Sequence, residues 1–360
     1  MPSVSQPRIF ALNAHADYAC RHSHACCTAG WSIPVEEPKV ALLGGQWLLP
    51  GDDGACPKLD RQDGLCRVHR DHGELALPDS CRHFPRRSLI DDRGTFVSLS
   101  HFCPTAAQLL LEHDAPLAIV EQPAAFPATR DYEGLDAHGE WPPLLRPGVL
   151  FDAESFSLWE RYLVSACGSG DADLDTTLAL AESAADALRA WTVDDGPLEL
   201  WTTRTLQRFS TREARFAAAA NRDSLLRRYA PFIGKQAYDV VCDTIPAGLD
   251  RPALPEDLDS IDADLVEPGW RPHASFFGRF LAAKAFASWT AYQSRGIRTQ
   301  VAELVATVSV LRVECARACA TSRRILDRDT AVEAVRMTDL LLVHLADRPT
   351  LMPWLDRVED

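Results

Sequence analysis

The stretch "DYACRHSHACCTAGW", residues 17 to 31, places Cys26 beside Cys27, with Cys20 six positions earlier and His22 and His24 between them. Neighbouring cysteines rarely close a disulfide with each other, because the ring would be strained. They also rarely serve one tetrahedral zinc together, since its usual pairs are separated by two to four residues. The remaining uses are a cluster of several metal ions, two nearby sites, redox chemistry, or none. The surrounding sequence bears on this choice. Seven of eleven cysteines (Cys20, Cys26, Cys27, Cys56, Cys66, Cys81, Cys103) and seven of eleven histidines fall in the first 103 residues, where even spacing would put about three of each. Gly, Pro and Asp recur at short intervals in "LLGGQWLLPGDDGACP" and "LDRQDGLCRVHRDHGELALPDSCRHFP", which marks turns. A loop-rich region of this kind needs cross-links, and a bound metal would supply them, its binding energy becoming folding energy.

Composition narrows the partners. The 360 residues are 46% hydrophobic and carry a formal charge of −14. That balance argues against binding a nucleic-acid backbone, which needs a basic surface, and suits a basic protein partner. The N-terminal residues show no signal-peptide pattern, and no run approaches 18 apolar residues, so no membrane span is expected. A cytoplasmic location follows, where thiols stay reduced and a cysteine-rich pattern reads as metal-binding or catalytic.

Beyond residue 150 the apolar residues recur at helical spacing. The pattern predicts helices over 156–167, 174–193, 275–292, 299–320 and 330–347, which together form a bundle. Short strands are expected at 39–49 and 95–100. Cys167, Cys242, Cys315 and Cys319 read as small core residues, and His344 as a packing histidine. The acidic run at 255–270 reads as a solvated linker, or as a guide for a lysine-bearing partner.

The ordered set "CRHSHACC", "CPKLDRQDGLCRVH" and "CRHFP" resembles the cysteine-cluster family of zinc- or iron-chelating domains, which reads roughly Cys-x2-Cys-x2-Cys-Cys, then Cys-Pro with a further Cys, then Cys-Arg-x-Phe-Pro. Cys20, Cys26 and Cys27 match the first block, Cys56-Pro57 and Cys66 the second, and Cys81-Arg82, Phe84 and Pro85 the third. Ser23 departs from the pattern, standing where the second family cysteine falls. A hydroxyl is a poor ligand for soft metals, so His22 or His24 substitutes or the site is one ligand short. Within that family, "CCTAGWSIPVEE" and "SLSHFCPTAAQLLLE" resemble the flagellin lysine N-methylase branch. The resemblance implies methyl transfer from S-adenosylmethionine to protein lysines, with an iron–sulfur cluster (4Fe-4S) as cofactor, zinc being the alternative, and flagellin as a substrate.

No Gly-x-Gly-x-x-Gly, Walker loop, Gly-x-Ser-x-Gly, His-Glu-x-x-His or Cys-x3-Cys-x2-Cys motif is present, so no catalytic residue is named. Arg82, Arg86 and Arg87 are candidates for holding the carboxylate of S-adenosylmethionine or a cluster's negative charge. The expected molecule is mainly α. A loop-rich metal- or cluster-bound region over 1–112 is joined by a linker at 113–149 to an all-helical domain at 150–360. Its function is either protein-lysine methyl transfer or, alternatively, non-catalytic zinc or iron binding as a carrier, sensor or adaptor.

Overall fold

The computed structural model describes residues 7–170, 173–249 and 251–360, the side chain of Leu225 excepted. Short β-branched and aromatic runs build a five-stranded sheet from β1 (Ile9–Leu12), β4 (Arg86–Asp91), β5 (Gly94–Leu99), β6 (Ile119–Glu121) and β7 (Gly134–Asp136), in the order β6-β1-β5-β4-β7. A separate ribbon pairs β2 (Ile33–Pro34) with β3 (Trp47–Leu48). β4 and β5 form an antiparallel hairpin, β1 runs parallel to β5, and β7 runs parallel to β4.

The central strands are buried on both faces, and the two-residue period of a strand sorts their side chains. Phe10, Leu12, Leu89 and Phe96 belong to the main core with the helices. Ile9, Ala11, Val97 and Leu99 pack on the other face against Tyr18, Cys103, Ala106 and Phe126.

Among the sheet and loops lie short helices α1 (Val40–Leu43), α2 (Arg67–His72) and α3 (Asp79–His83), followed by α4 (Pro104–Glu112). The mainly helical character expected from the sequence holds. The bundle comprises α5 (Ala153–Gly168), α6 (Leu174–Arg189), α7 (Leu198–Phe209), α8 (Arg212–Leu225), α9 (Gly234–Asp243), α10 (Leu258–Ile261), α11 (Glu267–Ala285), α12 (Thr290–Gln293), α13 (Ile297–Ser322), α14 (Arg328–Asp339) and α15 (Arg348–Leu355). The long α13 packs against α6, α9, α11 and α14. Side-chain caps fix several starts: Asp152 accepts from the Ser155 amide, and Asp327 and Thr330 form a reciprocal pair at α14, each cap contributing about 1 kcal/mol. α5 and α11 approach so closely that a Cβ on Gly278 would meet the Cys167 carbonyl oxygen at 2.6 Å.

Three expectations are corrected. The helix read over 275–292 is two helices, α11 and α12, because Ala287 takes a left-handed φ of +53° between them. The acidic run before it is not a linker: it holds α10, a π-turn at Asp262–Val266 and the first turn of α11, with Pro268 in the first turn, where a missing N–H is tolerated. The final helix is present as expected, α14 running on without a break as a π-helix over Leu340–Leu345. Residues 39–49 are mostly not strand, since Val40–Leu43 is helical and ends at Gly44 in the left-handed conformation; only Trp47–Leu48 pairs. Residues 113–149 contribute β6 and β7, the two edges of the sheet.

Candidate metal centre and the joint behind it

Cys26 and Cys27 lie on a single 3-10 turn, Ala25–Thr28, which the chain enters through two left-handed histidines, His22 (φ +53°) and His24 (φ +50°). The second block is tied to it through the backbone. The Cys56 amide donates to the Cys27 carbonyl at 2.7 Å, and the Gly30 amide donates to the Gly54 carbonyl at 3.0 Å. Cys66 precedes α2 and pairs as an isolated bridge with Leu59. Cys81 sits within α3, which is anchored by an ion pair of Asp79 with Lys39 at 2.6 Å. A small core of Val35, Leu43, Leu48 and Val68 backs Cys56 and Cys66. The histidines of the first block lean on the second: His22 faces His69 with ring centroids 6.0 Å apart, and His24 lies against Gly64.

The folding therefore brings five thiols from three blocks into one electrostatic group. The Cys26 and Cys27 sulfurs are 3.9 Å apart. Their shared proton lowers the Cys26 thiol to about 7, chiefly through the hydrogen bond from Cys27, and pushes Cys27 up. Burial, reinforced by the fields of Cys26, Cys56 and Cys66, pushes Cys81 up to about 12; burial likewise raises Cys56, with Cys66 and Cys26 adding to it. Clustered thiolates repel one another, and a bound cation reverses that preference by stabilising the charged form. The donors are of the type soft metals and iron–sulfur clusters take. Among the described residues no three His, Cys, Asp or Glu side chains stand close enough to hold an ion as they are, so the thiols are grouped but not closed on one point.

Cys20 and Cys103 are placed apart from that group, around Tyr18. The Tyr18 hydroxyl is 3.8 Å from the buried Cys103 sulfur, and both thiols raise the phenol's pKa after burial has done so. Cys103 leads into α4 through Pro104. Ser23 is half-buried between the left-handed histidines.

The three arginines do not converge. Arg82 lies beside His83 at 3.1 Å and Asp79 at 3.5 Å. Arg86 and Arg87 are consecutive on β4 and so project to opposite faces. Arg86 rests over Tyr18 and Phe126, with its buried Nε unpartnered, whereas Arg87 rests over Trp289 at 4.6 Å on the face that meets the bundle.

Behind the thiol region is a buried polar joint that the sequence reading did not assemble. Trp31 packs against Phe84, Phe102 and His344. His344 is the satisfied packing histidine the sequence suggests: its ring packs on Trp31 and its Nε2 lies 2.7 Å from the Ser100 hydroxyl. That hydroxyl and the His101 amide both donate to Asp339 Oδ2, at 2.8 and 2.7 Å, while Lys284 donates to Oδ1 at 3.0 Å. Asp339 is 1% exposed, and despite that burial the Lys284 ammonium, with His101, His344 and Arg87 near it, holds its carboxyl well below the usual range. Burial lowers His344 to about 4. The available signal was Lys284, one of four lysines in the chain, set in the apolar run "FLAAKAF". Cys167, Cys242, Cys315 and Cys319 are buried in the main core, as read.

No family model matches the chain, and no solved structure does. Similarity to known proteins is confined to part of the sequence. The Lysine-N-methylase of Salmonella typhimurium is 28% identical over 145 residues, covering 33% of this chain and 35% of that protein. The Lysine-N-methylase of Salmonella choleraesuis matches to the same extent. The Flagellar biosynthetic protein FliU of Salmonella muenchen is also 28% identical over 145 residues, which take in 83% of its length. The match thus spans about a third of the two curated methylases. Among the described residues no helix is long and apolar enough to cross a membrane.

Proposed function

We propose that this chain is a protein-lysine N-methyltransferase that uses S-adenosylmethionine and carries an iron–sulfur cluster, or zinc, on its N-terminal thiols. The observation that carries the activity is the similarity to two proteins named Lysine-N-methylase. The observation that supports a metal is the gathering of Cys26, Cys27, Cys56, Cys66 and Cys81, from three separate blocks, into one group. These five residues would hold the cluster, with Cys20 and Cys103 in reserve beside Tyr18. When bound, S-adenosylmethionine supplies a methyl group activated on a sulfonium, and the metal supplies cross-links among loops that have only a small core of their own. The chain's residues do the rest: the net formal charge of −14 draws a lysine-bearing protein, and the joint of Trp31, His344 and Asp339 fixes the thiol region to the bundle.

Incubation of anaerobically purified full-length protein with methyl-labelled S-adenosylmethionine and a panel of lysine-rich proteins, flagellin first, tests this reading. Label on substrate lysines is expected, with loss in Cys81→Ser. Metal at full occupancy with no transfer to any substrate and no binding of S-adenosylmethionine would instead favour a carrier, sensor or adaptor.

A further inference from the structure

Three cavities of the helical half meet at one residue, Asp175 in the first turn of α6. The central one, of about 340 Å³, lies between α6, α9, α10 and α13. Leu174, Leu258, Val308, Val313 and Ala316 give it an apolar floor. Around that floor stand four aspartates (Asp173, Asp175, Asp259, Asp262) and two cations (Lys235, Arg312). Both cations are matched. Lys235 holds Asp239 at 2.6 Å, and Arg312 binds Asp262 at 2.7 Å and Glu267 at 2.5 Å. Asp173 caps α6, accepting from the Asp175 amide at 3.2 Å, and meets Arg222 at 3.8 Å. The carboxylates of Asp175 and Asp259 make no hydrogen bond and no ion pair among the described residues. Arg222 and Arg312 act on Asp175 only from a distance, Arg222 being turned to Asp173 and Asp223.

An apolar floor beside unmatched carboxylates suits an alkyl cation, whose stem lies on the floor while its charged head stays with the acids. A lysine ammonium and a sulfonium both have that chemistry. The shape of the site favours lysine. Trp270, the aromatic ring in the chamber wall, already packs on Phe277 at 4.7 Å and carries the Arg312 guanidinium over its ring at 5.1 Å, so it offers a purine little surface for stacking. The chamber is also not closed. At Asp175 it opens into a polar cavity of about 500 Å³, lined by Thr176, Arg222, Glu267 and Arg271, and into an apolar one of about 350 Å³, lined by Leu178, Leu226, Ala230 and Val305. Together they follow α13 from Val305 to Ala316, roughly 16 Å, which is the span of about five extended residues. A groove of that length takes a stretch of polypeptide, and the unmatched negative charge sits at its centre.

We propose that this groove binds an extended segment of the substrate protein, and that its central chamber receives a lysine side chain, the stem on Val308, Val313 and Ala316 and the ammonium at Asp175 and Asp259. The identity of the occupant rests on the methylase reading, which this inference deepens by giving the lysine a place. Asp259 and Asp262 belong to the acidic run at 255–270, so the guide for a lysine-bearing partner becomes a wall of the chamber.

The test has two arms on the full-length protein. In the first, fluorescence anisotropy compares two labelled Gly-Ser peptides, one with a central lysine and one with norleucine, which keeps the stem and lacks the ammonium. Wild type is expected to bind the lysine peptide about tenfold more tightly, the worth of one hydrogen bond to a charged group. Asp175→Asn should bind both alike, and Asp175→Glu should keep part of the preference. Asp264→Asn, an acid of the same run that lines none of the three cavities, should keep all of it. Val308→Phe, which narrows the chamber without altering its charge, should weaken both peptides, with the thermal midpoint of each variant showing that it is folded. In the second arm, calorimetry should give S-adenosylmethionine the same affinity for wild type and Asp175→Asn. If the lysine preference follows Asp175 and no substrate protein is methylated, the methylase reading fails and the lysine site stands. Methylation of a substrate protein without any lysine preference in wild type, or with that preference retained in Asp175→Asn, overturns the site and leaves the reading. Loss of S-adenosylmethionine binding in Asp175→Asn with the lysine preference intact would give the chamber to the sulfonium and likewise overturn it.

Discussion

The indole of Trp31 lies against the imidazole of His344 with ring centroids 5.0 Å apart. This contact joins the turn bearing Cys26 and Cys27 to the π-turn at the far end of the chain. It couples a loop-rich segment, whose own core has only four buried apolar residues, to the much larger helical core. Trp31→Ala should remove a half-buried aromatic group that also touches Phe84 and Phe102. The expected cost is about 2 kcal/mol in urea unfolding, below the full value for a buried Trp. Limited proteolysis should then cut first within residues 20–85, and an unchanged cleavage pattern would show that the contact does not hold this segment.

The same imidazole makes stability depend on pH. His344 has its proton affinity lowered by burial to about 4, with Asp339 opposing that shift and Arg87 and Lys284 reinforcing it. The unfolded residue titrates near 6.5. Between those values the unfolded chain binds a proton that the folded one refuses, so stability is full above pH ~6.5 and falls as pH drops toward 4. His344→Gln should reduce the slope of that part of the stability–pH curve, the remainder coming from His101 and His15, which burial also lowers, while leaving the carboxylate-dependent fall at lower pH. The measurement is unfolding free energy at half-unit steps from pH 7 to 4, and an unchanged slope in the variant would refute the assignment.

Lys284 and Asp339 form a pair sealed beneath the sheet. Breaking a buried pair by removing one member typically costs ~3–5 kcal/mol, because the other charge is left unmatched. Lys284→Met should therefore be strongly destabilising, and Lys284→Met combined with Asp339→Asn should recover much of the loss. A double-mutant cycle measures this, and strict additivity would argue against coupling.

A second buried network pins the hairpin to the bundle. Arg93, at the β4–β5 turn, binds Asp91 at 2.8 Å and Glu160 of α5 at 3.0 Å; Glu160 also accepts from the Ala287 amide, and Asp91 from Tyr292. Arg93→Ala should cost ~3–5 kcal/mol by stranding two buried carboxylates, and Arg93→Lys less. Denaturant unfolding would show the order, and equal loss in both would point to packing on Phe96 and Phe156 rather than charge.

The cysteines divide by role. Cys81→Ser should lower bound iron or zinc in protein purified without oxygen, and any absorbance near ~400 nm from thiolate–iron charge transfer should fall with it. Cys242→Ser, in the helical core, should leave the metal content unchanged. Equal metal in both variants would remove Cys81 from the ligand set.

Helices carry their signal locally, in apolar residues three and four apart, so the bundle was legible over 156–167, 174–193 and 299–320 without any tertiary information. The thiol blocks were legible for the same reason: each is a short run whose residue types alone mark it. What no local pattern carries is the arrangement of residues far apart in the chain. Only tertiary folding put Cys56, Cys66 and Cys81 with the Cys26-Cys27 pair and left Cys20 and Cys103 with Tyr18. Strand formation at 86–91 sent the neighbouring Arg86 and Arg87 to opposite sides of the sheet. Lys284 stands out as a lysine in an apolar run, but Asp339 and Ser100 are ordinary in sequence; they become a network because a charge buried in a low-dielectric core must find its partner there, wherever in the chain that partner was encoded.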